Sequence, residues 1–86
     1  MPRISEFYGI VIAMFHREHQ PPHFHAFYAE FKAQISIKDG NIIEGKLPPK
    51  AKTLVKEWTK LHQEELLQEW NLAQQHKSLF WIEPLQ

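Results

Sequence analysis

Glu18-His19-Gln20-Pro21-Pro22-His23-Phe24-His25 places three of the six histidines within seven residues. Imidazole is the side chain that exchanges protons near neutral pH, and it is also the commonest metal ligand. Two prolines stand between His19 and the pair His23 and His25. Proline fixes φ and removes a backbone donor, so the loop is stiffer than its length implies. On a strand, His23 and His25 point to one face, with Phe24 and Ala26 on the other. His19 is expected to fold back toward them across the proline turn, so that three imidazoles converge.

Two chemistries suit such a cluster. His19, His23 and His25 with an open position form the donor set of a catalytic zinc centre, and imidazole also suits iron, nickel and copper. Glu18, His16 or Glu30 would be the fourth protein ligand. His23-x-His25-x4-Glu30 superficially matches the first metal motif of cupins. Strand parity, however, sets Glu30 on the opposite face, and the chain is short for a jelly roll. The second chemistry is metal-free. Paired histidines can take and give the protons of a 2′-hydroxyl attack on RNA, with Arg17 or Arg3 stabilising the developing charge. Against both stands a structural role: neutral imidazole donates with one nitrogen and accepts with the other, so it can lock an irregular loop.

The remaining candidates carry less chemistry. His62 falls where the helical pattern slips. His76 lies near a helix C-terminus, where a cation is favoured. Lys46, Lys50, Lys52 and Lys56 flank the helix start and read as a solvated face. No phosphate-binding glycine loop and no serine nucleophile motif is present. The chain has no cysteine, which excludes a disulfide scaffold, a thiolate metal site and a thiol nucleophile.

Eighty-six residues make one domain, residues 1–86. A hydrophobic fraction of 43% supports a core, and eleven aromatics are generous for the size. Ten basic and ten acidic residues cancel, which argues against a general nucleic-acid binder; RNA stays a partner only through a local patch. Gly9 to Phe15 is too short to span a bilayer, and the opening residues lack the apolar run of a signal peptide. The expectation is a soluble cytoplasmic protein with no membrane partner.

The elements that position the histidines can be read from periodicity. Phe7 to Phe15 predicts one strand, apolar on both parities. His23 to Tyr28 predicts a second, Ala29-Glu30 a tight turn, and Phe31 to Ile37 an alternating third strand. Asp39-Gly40 is a hairpin signal, and Asn41 to Glu44 a short fourth strand. Gly45 to Pro49 breaks the sheet and starts a helix. Lys50 to about His76 is rich in helix formers. Its apolar stripe, Ala51, Leu54, Val55, Trp58 and Leu61, is offset from a second, Leu66, Leu67, Trp70 and Ala73, so a kink or break is predicted at His62 to Glu65. Leu79-Phe80-Trp81-Ile82 either adds an edge strand, docks on the helices or meets a partner. The fold class is α+β: a small antiparallel β-meander of 3–4 strands, followed by a kinked helix or two helices packed on one face.

The opening Pro2 to Ile10, the loop Glu18 to Ala26, the helix start Gly45 to Pro49, and Glu57-Trp58 through Leu67 with Trp70 recur in one arrangement. This arrangement resembles the bacterial domain-of-unknown-function 4160 family over nearly the whole chain. The match to the family's histidine motif covers His19, Pro21, Pro22, His23 and His25. The resemblance implies no reaction. It implies a small protein partner encoded nearby, of the domain-of-unknown-function 2442 family, in a pair like a toxin–antitoxin module. The expected function is therefore a small component of such a pair that acts by protein–protein association. The alternative is an RNase-like or metal-dependent enzyme centred on His19, His23 and His25, its cofactor a divalent metal. A homo-oligomer is a further possible assembly.

Overall fold

The computed structural model describes residues 3–86. Met1, and Pro2 of the family-like opening, lie outside the described residues. Five strands form the sheet: β1 (Arg3–Phe7), β2 (Ile10–Ala13), β3 (His23–Tyr28), β4 (Phe31–Ser36) and β5 (Ile42–Lys46). Two helices follow, α1 (Pro49–Leu61) and α2 (Gln63–Gln74). The strands lie in sequence order and every neighbouring pair is antiparallel, so the α+β meander read from the sequence is observed with one more strand.

The extra strand is β1, formed by Arg3 to Phe7 ahead of the predicted run, which itself supplies β2 after a turn at Tyr8-Gly9. Tyr8 and Gly9 take φ of 51° and 80°. Two successive positive φ values make a tight hairpin turn whose twist suits the flanking strands. Glycine adopts this backbone freely, but a tyrosine there is uncommon, so the turn is hidden inside an apolar run. The β3–β4 turn falls at Ala29-Glu30, as the pattern predicts. Gly45 does not break the sheet. It lies within β5 at φ +82°, and a Cβ there would stand 2.3 Å from the Lys32 carbonyl oxygen. Only glycine lets β5 approach β4 so closely.

One face of the sheet holds the core. Ile10, Ile12, Phe24, Ala26, Ala33 and Ile35 are buried there. Trp58 of α1 is fully buried, with ring centroids 5.4 Å from Phe7 and 5.6 Å from Phe24. Ala51 and Val55 of α1 and Leu66, Trp70 and Ala73 of α2 are buried as predicted. Leu61 and Leu67, assigned to the same stripes, are exposed at the ends of their faces.

The helix breaks at His62 without proline. The Thr59 hydroxyl donates to the Val55 carbonyl at 2.7 Å, a bond that bends helices, and the His62 N–H turns to Thr59 at 3.1 Å. His62 then opens α2: its Nδ1–H donates to Glu65 at 2.6 Å, and Glu64 and Glu65 sit on the positive end of the new helix dipole. The side-chain amide of Gln63 donates to the carbonyls of Ile37 and Lys38, tying this joint to the end of β4.

The tail after α2 forms no strand; it docks. The Ile82 N–H donates to Ile4 at 2.7 Å, and Trp58 Nε1–H donates to the Glu83 carbonyl at 2.9 Å. The Phe80 N–H donates to the Glu69 carboxylate at 2.9 Å, and Ile82 is fully buried. No helix among the described residues is long and apolar enough to cross a membrane.

Candidate metal centre

Three donor atoms converge beside the first residues of β3. One carboxylate oxygen of Glu18 and one ring nitrogen each of His23 and His25 all lie within 4.8 Å of one another. His25 Nε2 is 2.5 Å from Glu18 Oε1, and His23 Nε2 is 3.6 Å from the same oxygen.

β3 and the connection before it build this arrangement. His23 and His25 lie two residues apart on β3, so both face the same side while Phe24 and Ala26 enter the core. Glu18 arrives from the connection between β2 and β3. Arg17 takes a left-handed φ of 57° and turns the chain back. The side-chain amide of Gln74 donates to the Glu18 carbonyl at 3.3 Å, so α2 holds the returning loop. The His16 and His76 rings stack at 5.3 Å, and His16 Nε2 lies 3.4 Å from the Lys77 carbonyl. On the β4 side, the Ile37 N–H donates to the Pro22 carbonyl at 3.1 Å. The Gln20–Pro21 peptide is cis.

His23 is set by its neighbours. Its Nδ1 lies 2.8 Å from the Pro21 carbonyl oxygen. A carbonyl only accepts, so Nδ1 carries the proton, and the neutral ring presents its lone pair at Nε2. That Nε2 is buried and has no hydrogen-bond partner, on a residue only 5% exposed. Trp70 walls the ring at 5.3 Å between centroids. A backbone carbonyl that fixes the tautomer of a metal-binding histidine is the usual outer support of such a ligand. His25 is held between Phe15, edge-on at 4.5 Å, and Phe27, stacked at 6.4 Å.

Glu18 is ionised more readily than an ordinary carboxylate. Burial opposes its charge, but the hydrogen bond and charge of His25 outweigh that and lower its pKa. The donor set is therefore two imidazoles and one carboxylate, with one lone pair already oriented. It fits a divalent ion of the zinc type with an open position. It also has the composition of the two-histidine, one-carboxylate triad of ferrous enzymes. Ligands about 2.1 Å from a shared ion stand about 3–3.5 Å apart, so Glu18 and His25 must separate slightly to admit one.

Of the three histidines singled out by spacing, His23 and His25 converge and His19 does not enter the donor set. His19 is exposed and lines the hollow beside the centre. Glu18, first weighed as a fourth ligand, takes the third place. Glu30 is exposed at the far end of the β3–β4 hairpin, and His16 pairs with His76. Arg3 bonds Glu6 at 3.4 Å, and Arg17 is exposed. His62 serves the helix joint. Lys46, Lys50 and Lys52 are exposed and Lys56 is half-buried.

Glu69 is a further buried ionisable residue that histidine spacing does not point to. It is fully buried, its Oε2 has no partner, and burial pushes its pKa up to about 7 despite the Phe80 N–H. A signal was present: Glu69 lies three residues after Leu66 and four before Ala73, on the buried face of α2.

A family model described as Domain of unknown function (DUF4160) matches residues 9–71. No curated protein and no solved structure matches the chain.

Proposed function

Since the chain belongs to the DUF4160 family, whose description names no reaction, function must be argued from the site, and we propose that the protein is a divalent-metal-dependent hydrolytic enzyme built on Glu18, His23 and His25. The observation that carries this reading is the buried, unpartnered Nε2 of His23. A buried acceptor without a partner costs about 1–3 kcal/mol, and an ion bonded to the lone pair removes that cost. Two imidazoles and a carboxylate leave a coordination position for water, whose proton the ion makes easier to remove. Trp70 shields one side of His23, while His19, Pro21 and Glu44 border the open side. Under this reading the protein works in the bacterial cytoplasm and uses imidazole and carboxylate because it has no thiol.

Titration of metal-free protein with Zn2+ tests it. One ion per chain is expected, with a loss of affinity of at least tenfold in His23→Gln and in Glu18→Gln, each checked for fold by circular dichroism. Trp70 beside His23 provides a second readout, because Cu2+ or Co2+ at the centre quenches its fluorescence. Absence of stoichiometric uptake in the folded wild-type protein would remove the reading.

Association with a small protein encoded nearby, in a toxin–antitoxin-like pair, is a second reading favoured by the docked tail. Phe80 and Trp81 are 37% and 56% exposed although the backbone around them is fastened. Aromatic side chains held outward on an anchored segment are common interface anchors. Co-expression with the neighbouring gene product should give a complex on size exclusion at micromolar concentration. A Trp81→Ser variant should weaken it at least tenfold; two separate peaks for the wild-type proteins would end this reading.

A further inference from the structure

Two hollows meet at the Glu18–His23–His25 centre. One, of about 240 Å3, is walled by Glu18, His19, His23, Gln34, Ile43 and Glu44. The other, of about 210 Å3, is walled by His25, Lys32, Gln34 and Glu44 among others. Gln34 and Glu44 border both; Glu18 and His23 line one hollow and His25 the other.

Strand register creates this layout. Ala13, His25, Gln34 and Glu44 are successive cross-strand neighbours on the face away from the core. The next row on that face is Val11, Phe27, Lys32 and Lys46. The two rows are about 7 Å apart, two residues along a strand. Lys32 and Lys46 stand directly opposite each other, and like charges so placed repel. Among the described residues, no carboxylate pairs with either ammonium.

The charge on this face sets the substrate class. Glu18 and Glu44 offset Lys32 and Lys46, so the face is neutral by itself. A divalent ion at the centre adds two positive charges, and the two lysines a row away have no carboxylate in contact with them. An anion that binds the ion and reaches the lysines relieves both.

We propose that the centre takes a phosphate ester, with its phosphoryl group at the ion and its free oxygens reaching toward Lys32 and Lys46. This rests on the metal-dependent reading above. In hydrolysis, the oxygen of a water at the open position forms the new bond to phosphorus. The bond to the leaving oxygen breaks, and that oxygen keeps the electron pair. Glu44 takes the proton from the attacking water and passes it to solvent. The leaving oxygen takes a proton from solvent. Oxidants and reductants play no part.

The experiment uses the full chain loaded with one equivalent of Zn2+ and the chromogenic esters p-nitrophenyl phosphate and bis(p-nitrophenyl) phosphate. Turnover of at least one, abolished by chelation, is expected, and inorganic phosphate should inhibit it competitively. The double variant Lys32→Gln/Lys46→Gln should raise KM at least fivefold while its Zn2+ affinity stays that of the wild type. Added short single-stranded RNA, if cleaved, identifies a nucleic-acid source for the ester; turnover confined to the small esters identifies a metabolite. If Zn2+ binds stoichiometrically and none of these phosphate esters is turned over, the substrate class is wrong and the metal centre stands. If Zn2+ does not bind, both fall together.

Discussion

His23 has two ring nitrogens with separate tasks. Nδ1 is committed to the Pro21 carbonyl, and this leaves Nε2 as a buried lone pair beside Glu18. His25 differs, since its Nε2 shares a proton with the Glu18 carboxylate at 2.5 Å. An ion must take the place of that proton at Nε2, and protons compete with it for all three donors, so binding should grow weaker as pH falls. Zn2+ titrations at pH 8 and pH 5.5 measure the difference. An equal affinity at the two pH values would contradict it. Glu69 gives a stability prediction of opposite sign to that of a paired carboxylate. Its folded pKa, about 7, lies above the ordinary value of 4.5, so between these values the folded chain binds more protons than the unfolded one. Its contribution is most favourable below about pH 4.5 and is lost as pH rises through 7. One pKa unit corresponds to about 1.4 kcal/mol, so Glu69→Gln should stabilise the fold by roughly 1–3 kcal/mol at pH 8 relative to pH 5. Urea melts of both proteins at the two pH values check this, and an equal effect at both would contradict it.

Among the elements, β5 and the tail depend most on single contacts. Gly45 makes the tightest approach of the three glycines, with φ +82° and the Lys32 carbonyl where a Cβ would stand. Gly45→Ala should cost about 2–4 kcal/mol, combining backbone strain with the lost approach. It should also displace Glu44 and Lys46, and so lower ester turnover more than metal affinity. The tail is fastened by Ile82, Glu83 and Phe80 at three separate points. Ile82→Ala should destabilise by about 2–4 kcal/mol, as for a fully buried aliphatic side chain, and should loosen Trp58 Nε1 from its carbonyl. A red-shifted tryptophan emission in the folded variant is the expected signature. The β3–β4 hairpin and the helix break at His62 were legible because turn residues and stripe phase are local signals. The β1–β2 hairpin was not, because Tyr8 in a left-handed backbone looks like one more residue of an apolar strand.

At the scale of the whole molecule, one core between the sheet and two helices leaves the other sheet face to carry the chemistry. Trp58, fully buried between Phe7 and Phe24, joins the layers, and Trp58→Ala should cost about 3–5 kcal/mol or abolish folding. The order of the elements from β3 to α2, and the shared face of His23 and His25, were determined by the sequence alone. They rest on periods of 2 and 3.6, on proline and on turn residues, all of which act over a few positions. The third donor was decided by tertiary structure. Glu18 and His19 are adjacent, and nothing in their spacing to His23 tells which one turns inward. The reversal at Arg17 and the bond from Gln74, 56 residues away, bring Glu18 to the centre and leave His19 on the rim. The burial that leaves His23 Nε2 without a partner likewise depends on Trp70 of α2. Local physics set which residues could act together; long-range contacts chose the ones that do.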